Sequence, residues 1–304
     1  MTDIELNKHS GFVAVLGRPN VGKSTLLNAL LSQKIAAVSS RPQTTRKRQM
    51  GILTLKQDDQ LYQAVFVDTP GIHKPHHKLG EYMNREAKKS MEVCDIILFV
   101  VDASHEPNND DKQLFELFTD INRNIPIILA LNKVDLTDPT TLELHKNSFL
   151  LGIPRAIPMP ISATRGDHLD SLQKEIILRL PEGLPFFPED QITDLYEREI
   201  SADLIREACL NNLRDEIPHG IAIRIDQYTE RGDLGAYIEA TVFVERESHK
   251  SIVIGQGGKM IKRIGTTARE EIELVTGRKV YLHLKVKIRR NWRNDDNILQ
   301  RFGY

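Results

Sequence analysis

Eight residues near the start of the chain, GRPNVGKS from Gly17 to Ser24, have the Gly-x-x-x-x-Gly-Lys-Ser spacing of a loop that wraps phosphates. Gly17 and Gly22 let backbone N–H groups turn inward, and Arg18, Pro19, Asn20 and Val21 form the arch between them. Lys23 would reach the β and γ phosphates, and Ser24 would offer its hydroxyl to Mg2+. Thr25 continues a helix whose positive dipole end faces the anion.

Four further stretches fall in an order that completes a guanine-nucleotide site. In DTPG, Asp68 could hold Mg2+ through water and Gly71 could donate its N–H to the γ-phosphate, with Thr69 and Pro70 shaping the turn. In NKVD, Asn132 and Lys133 precede Asp135, whose carboxylate can accept from both N1 and N2 of guanine, a donor pair that adenine lacks. SAT, Ser162, Ala163 and Thr164, would bring the Ala163 N–H near guanine O6. The pair Thr44-Thr45 lies in a loop that would cover the phosphates. Thr45 is the expected Mg2+ ligand, with Thr44 the alternative. Lys23 and Thr45 are therefore the candidate catalytic residues.

The residue after Gly71 is Ile72, where many related enzymes place a glutamine that orients the attacking water. An aliphatic side chain cannot do that, so slow intrinsic hydrolysis is expected. Asn20 stands where its side-chain oxygen could hold K+ beside the phosphates, unless it only shapes the loop. His73, His76 and His77 have no carboxylate or cysteine nearby at ligand spacing and are not read as a metal centre. The basic triplet Arg46 to Arg48 reads as a solvated loop that could touch RNA or a partner.

A second glycine-rich turn, Gly255-Gln256-Gly257-Gly258, lacks the phosphate-loop spacing. Between two helices, a Gly-x-x-Gly turn can clamp about four nucleotides of single-stranded backbone, as KH domains do. Lys259, Lys262 and Arg263 would place positive charge at the phosphates, and Ile252, Val253, Ile254, Ile261 and Ile264 would line a groove for the bases. A bare helix corner would explain the glycines but not the basic cluster beside them.

The elements that must position these residues follow from periodicity. From Gly11 to about Leu180, short β-rich runs such as FVAVLG, QAVFVD, DIILFVV and IPIILAL alternate with helical segments, predicting a mostly parallel sheet with helices on both faces. ILTLK and LYQAVFVD, joined by QDDQ, predict one antiparallel edge hairpin. Prolines and glycine in LPEGLPFFP mark a boundary. The expected division is a nucleotide domain over 1–180, a linker over 181–192 and an α-β-β-α-α-β RNA-binding domain over 193–304.

Composition sets the remaining bounds. The 304 residues are 40% hydrophobic and 27% charged, a globular balance, and the two cysteines, Cys94 and Cys209, leave little for a disulfide framework. The start MTDIELNKHS has no basic-then-apolar signal, and runs such as Ile96 to Val101 are too short to span a bilayer. We expect a cytoplasmic monomer. The net charge of −1 conceals a division, since residues 245–304 hold 14 Lys/Arg against 7 Asp/Glu. Such an excess suits an anionic partner.

The nucleotide motifs resemble those of the translation-factor-related GTPases. With Ile72 after DTPG, the linker LPEGLPFFPED and the terminal IGQGGKMIKRIG, nearly the whole chain resembles the bacterial Era family. That resemblance implies an α/β P-loop GTPase domain followed by an α+β type II KH domain. It also implies GTP hydrolysis with Mg2+, binding of single-stranded RNA near the 3′ end of small-subunit ribosomal RNA, and a role in maturing the small ribosomal subunit. A peripheral contact with the inner face of the cell membrane is implied in the same way. The alternative is an RNA scaffold or chaperone whose guanine nucleotide is structural and seldom turned over.

Overall fold

Strands covered on both faces need apolar side chains on both, and the runs FVAVL, IILFVV and IILAL meet that need. They form three of the four interior strands, β1 (Asn7–Leu16), β4 (Ile96–Asp102) and β5 (Ile127–Asn132). With β2 (Gln49–Gln57), β3 (Gln60–Asp68) and β6 (Ile157–Pro160) they make a six-stranded sheet of order β2-β3-β1-β4-β5-β6. All neighbours are parallel except β2, which pairs antiparallel with β3 as the edge hairpin. β1 begins at Asn7, before the expected Gly11, because it stays in register with β3 from Asn7 opposite Gln60 onward.

This computed structural model describes residues 7–39, 45–57, 59–71, 75, 77–119, 124–232 and 235–304. They gather into two units, one drawn from within 1–34, 45–74 and 83–194, the other from within 35–44, 75–82 and 195–304.

In the first unit, helix α1 (Lys23–Leu30) follows β1. Helices α2 (Lys78–Glu92, which enters this unit at 83), α3 (Asn109–Thr119) and α4 (Pro139–Gly152) lie between later strands, and α5 (Leu169–Ile177) follows β6. Ala87 and Met91 of α2, Leu114 and Phe118 of α3 and Phe149 of α4 share one core with Leu16, Phe99 and Leu129 of the sheet. Helices α1 and α5 touch β3 and each other. The carboxyl ends of β1, β3, β4, β5 and β6 thus all open on one edge, where such sheets bind ligands.

Residues 181–194, read from the sequence as mostly linker, are bonded to this sheet. The reason is Gln63, fully buried on β3. Its Oε1 accepts from the N–H groups of Phe186 (2.7 Å) and Phe187 (3.0 Å), while Nε2 donates to Phe187 O (2.9 Å) and Thr54 Oγ1 (3.2 Å). Ile52 N–H donates to Ile192 O at 2.8 Å. A buried amide with every bond made holds the segment down, because opening it would strand several polar groups.

In the second unit, α6 (Glu197–Asn212), β7 (Ala222–Glu230), β8 (Ala236–Val244), α7 (Glu247–Ile254), α8 (Lys259–Thr276) and β9 (Val280–Ile288) follow in the expected α-β-β-α-α-β order. A short helix α9 (Asp296–Arg301) is added at the end. The sheet order is β7-β8-β9, antiparallel then parallel. On α8, Ile264, Ala268 and Ile272 recur every four residues and are fully buried with Leu204 of α6 and Val253 of α7. Trp292, also fully buried, donates Nε1–H to Gly220 O at 2.9 Å.

Candidate nucleotide and RNA sites

The turn from β1 into α1 forms without strain only with glycine at position 22. Its φ is 98°, and a Cβ there would come 2.3 Å from Asn132 Nδ2. Asn132, 2% exposed, occupies that space because its Nδ2 donates to Val21 O (2.8 Å) while its Oδ1 accepts from Ala163 N–H (2.9 Å). One buried amide therefore joins the Gly17–Ser24 loop, NKVD and SAT. The Ala163 N–H, expected near guanine O6, makes this internal bond, which fixes its position, since a buried N–H must find an acceptor. Ser162 Oγ donates to Asp135 Oδ1 at 2.6 Å, fixing the carboxylate, and Thr164 Oγ1 lies 3.3 Å from Ser162 Oγ.

Lys23 is almost fully buried, and its Nζ donates to Gly17 O and Arg18 O, both at 3.0 Å. Burial pulls its ammonium down to about 8, against the attraction of Asp68. Beside it, Ser24 Oγ, Thr45 Oγ1 and Asp68 Oδ2 meet, with Ser24 to Thr45 at 2.9 Å and each hydroxyl 3.0 Å from the carboxylate. Three hard oxygens in one place fit Mg2+ rather than a softer metal. Thr44 and Ile72, with His73 and His76, lie outside the described residues, whereas His77 lies just before α2. Thr69 and Gly71 are both buried, and Thr69 Oγ1 donates to Val15 O at 2.8 Å, tying DTPG to β1. Among the described residues no cluster of three or more His, Cys, Asp or Glu could hold a metal.

Sequence reasoning missed two acids. Asp102, at the end of β4, accepts from Lys133 Nζ at 2.7 Å, and that lysine also donates to Asn20 O at 2.9 Å. Burial pushes the Asp102 carboxyl up, but the bonds from Lys133 and Ser104 outweigh it and hold it low. Asp111 of α3, 1% exposed, faces Arg18 Nε at 3.4 Å. Its carboxyl is raised by burial, which the Asn108 N–H and Arg18 only partly offset. A carboxylate closing the apolar run FVV was a readable signal for Asp102, as it was for Asp68; a helical Asp111 offered none.

The second glycine turn is open. Gly257 and Gly258 have φ of 60° and 76°, yet a Cβ on either would have nothing within 4 Å. Gly258 N–H closes the turn on Gly255 O at 3.0 Å. Gln256, Lys259, Lys262 and Arg263 are exposed around it. The expected base groove needs correction: Val253 and Ile264 are fully buried in the core, because they face α6 and the sheet, and only Ile252, Ile254 and Ile261 remain accessible.

Comparison with known proteins agrees with this geometry. Residues 12–133 match the family described as 50S ribosome-binding GTPase, and residues 216–293 match the KH domain family. The chain is 45% identical to GTPase Era of Ruminiclostridium cellulolyticum over 97% of both chains. It is also 45% identical to GTPase Era of Halothermothrix orenii, over 97% of this chain and 98% of that one. Among solved structures, a point variant of Aquifex aeolicus Era bound to GDP·AlF4− is 39% identical with a TM-score of 0.91, covering 97% of this chain and 99% of that one. Era in complex with MgGDPNP and nucleotides 1506–1542 of 16S ribosomal RNA has the same identity and TM-score, over 98% and 99% of the two chains. A P-loop GTPase domain followed by a KH domain, matched end to end by these relatives, makes this chain a member of the GTPase Era family.

Proposed function

We propose that this GTPase binds single-stranded RNA near the 3′ end of small-subunit ribosomal RNA through its KH domain and acts in maturing the small ribosomal subunit. The observation that carries the reading is the open, basic-flanked GQGG turn in a chain whose relative was solved with nucleotides 1506–1542 of 16S ribosomal RNA. Crosslinking in cells followed by sequencing of the bound RNA tests it. Recovery of the small-subunit 3′ end is expected, and reads spread over unrelated RNAs would overturn it.

In the nucleotide site, Lys23 would pair with the β and γ phosphates and Asp135 would select guanine, while Ser24 and Thr45, with Asp68 through water, would hold Mg2+, which would supply positive charge to offset that of the phosphates. Asn20, left-handed at φ 65° and held through its carbonyl by Lys133, is the proposed K+ ligand. Hydrolysis is slow by itself, since Ile72 cannot orient water. Replacing sodium with potassium should raise turnover in the parent but not in Asn20→Ala, and a rate indifferent to the cation removes the K+ assignment.

Among the described residues no helix is long and apolar enough to cross a membrane. The proposed place of action is the cytoplasm, with any membrane contact peripheral, and fractionation of cells checks it.

A further inference from the structure

We infer that the outer face of the β7-β8-β9 sheet carries a second contact for single-stranded RNA, a stacking ladder of Arg231, Tyr237 and Tyr281. The inference rests on the RNA-binding reading above and adds to it a site away from the GQGG turn. Along β9, Leu282, Leu284 and Val286 turn toward the core while Tyr281, His283, Lys285 and Lys287 are exposed. The parallel register sets Tyr237 of β8 opposite Tyr281. Their rings lie 5.6 Å apart and within 12° of parallel, and the Arg231 guanidinium sits 5.2 Å from the Tyr237 ring centre. Cation, ring and ring thus form a column, and Tyr281, 66% exposed, leaves it accessible to solvent.

Charge and shape choose the occupant. The carboxylates on or beside this face are paired: Glu239 has Lys285 (2.5 Å), Asp226 has Arg224 (2.7 Å), and Glu230 (3.1 Å) shares Arg278 with Glu197 (3.2 Å). Lys287 adds its attraction to Asp226, and Arg231 stands over the Tyr237 ring, so cations outnumber carboxylates on this face among the described residues. The other end of β8 is covered, since the Phe302 ring packs 4.8 Å from that of Phe243. What stays open is one aromatic surface among cations, which suits an unpaired base with its phosphate. A protein interface would want a broader apolar centre with less charge. The 18 residues of α8 separate the GQGG turn from the end where β9 begins, about 27 Å at the helical rise. RNA reaching both sites must be longer than the roughly four nucleotides a KH clamp grips.

The test uses the full chain and two labelled oligonucleotides from the small-subunit 3′ end, one of about four nucleotides and one about three times longer. Tyr281→Ala should weaken the longer by about fivefold to a hundredfold, the value of one base stack, and leave the shorter unchanged. Tyr281→Phe should bind the longer like the parent, since the ring face remains. Unchanged binding of the longer oligonucleotide by Tyr281→Ala overturns the ladder and leaves a cross-strand packing pair or a protein-docking face. Equal weakening of both overturns it as an effect on the fold. If the parent binds neither, the RNA reading itself fails and this contact with it.

Discussion

The two glycine turns of this chain, GRPNVGKS and GQGG, differ in glycine spacing and in what surrounds them. At Gly22 a Cβ would strike Asn132, the amide that joins three loops of the nucleotide site. At Gly257 and Gly258 a Cβ would meet nothing. The first turn needs its glycine for the protein's own packing; the second needs only a left-handed backbone and an unobstructed approach for a ligand. Damage to the nucleotide site should therefore spread through its bonded neighbours, whereas damage to the RNA turn should stay local.

The largest effect that sharpens this contrast comes from chemistry without bulk. Asp135→Asn keeps the bond to Ser162, whose hydroxyl can donate to an amide oxygen as well. It loses an acceptor for guanine, so GTP should weaken by about ten-thousandfold while XTP gains. Competition binding with both nucleotides checks it, and unchanged GTP affinity would remove the guanine assignment.

Next comes Gly22→Ala, which must displace Asn132 and adopt a strained backbone. GTP affinity should fall by about a hundredfold or more and the melting temperature should drop. Gly257→Ala, with no neighbour to displace, should cost about 1–2 kcal/mol of stability from its left-handed φ and leave GTP affinity unchanged. Equal nucleotide loss in the two variants would break the comparison.

The smallest effect is a pH dependence with two opposite signs. Lys23 in the free protein titrates at about 8, below its ordinary 10.5, through burial. Above pH 8 it is neutral and must take up a proton to pair with phosphate, so nucleotide affinity should fall by up to about tenfold per pH unit. Between 8 and 10.5 the unfolded chain binds the extra proton, so this residue's contribution to the stability of the nucleotide-free protein should rise with pH. Calorimetry in buffers of different ionisation enthalpy checks the proton uptake.

Much of this was legible in the sequence because the informative residues end strands. Asp68 and Asn132 each close an apolar run, so the run predicts the strand and the polar residue its end. The edge hairpin and the α-β-β-α-α-β order followed from periodicity in the same way. Bonds between distant segments were not legible. Nothing in Gln63 announces that it binds Phe186 and Phe187 across 123 and 124 residues, nor in Ala163 that its N–H meets Asn132. Val253 and Ile264 were misplaced because a mostly apolar stretch such as SIVI does not say which residue turns inward; the packing of α7 and α8 on α6 decides that.

The most direct test of a GTPase joined to a separate RNA clamp is the double variant Gly257→Asp, Gly258→Asp. Aspartate tolerates the left-handed backbone at φ of 60° and 76° better than most residues, and both positions have room, so the domain should fold as judged by circular dichroism and a thermal melt. Negative charge where phosphates must lie should abolish binding of the small-subunit 3′ RNA, while GTP affinity stays within about twofold of the parent, since the turn and the nucleotide site belong to different units and none of the bonds described above joins them. A folded double variant that binds this RNA as well as the parent would contradict the account.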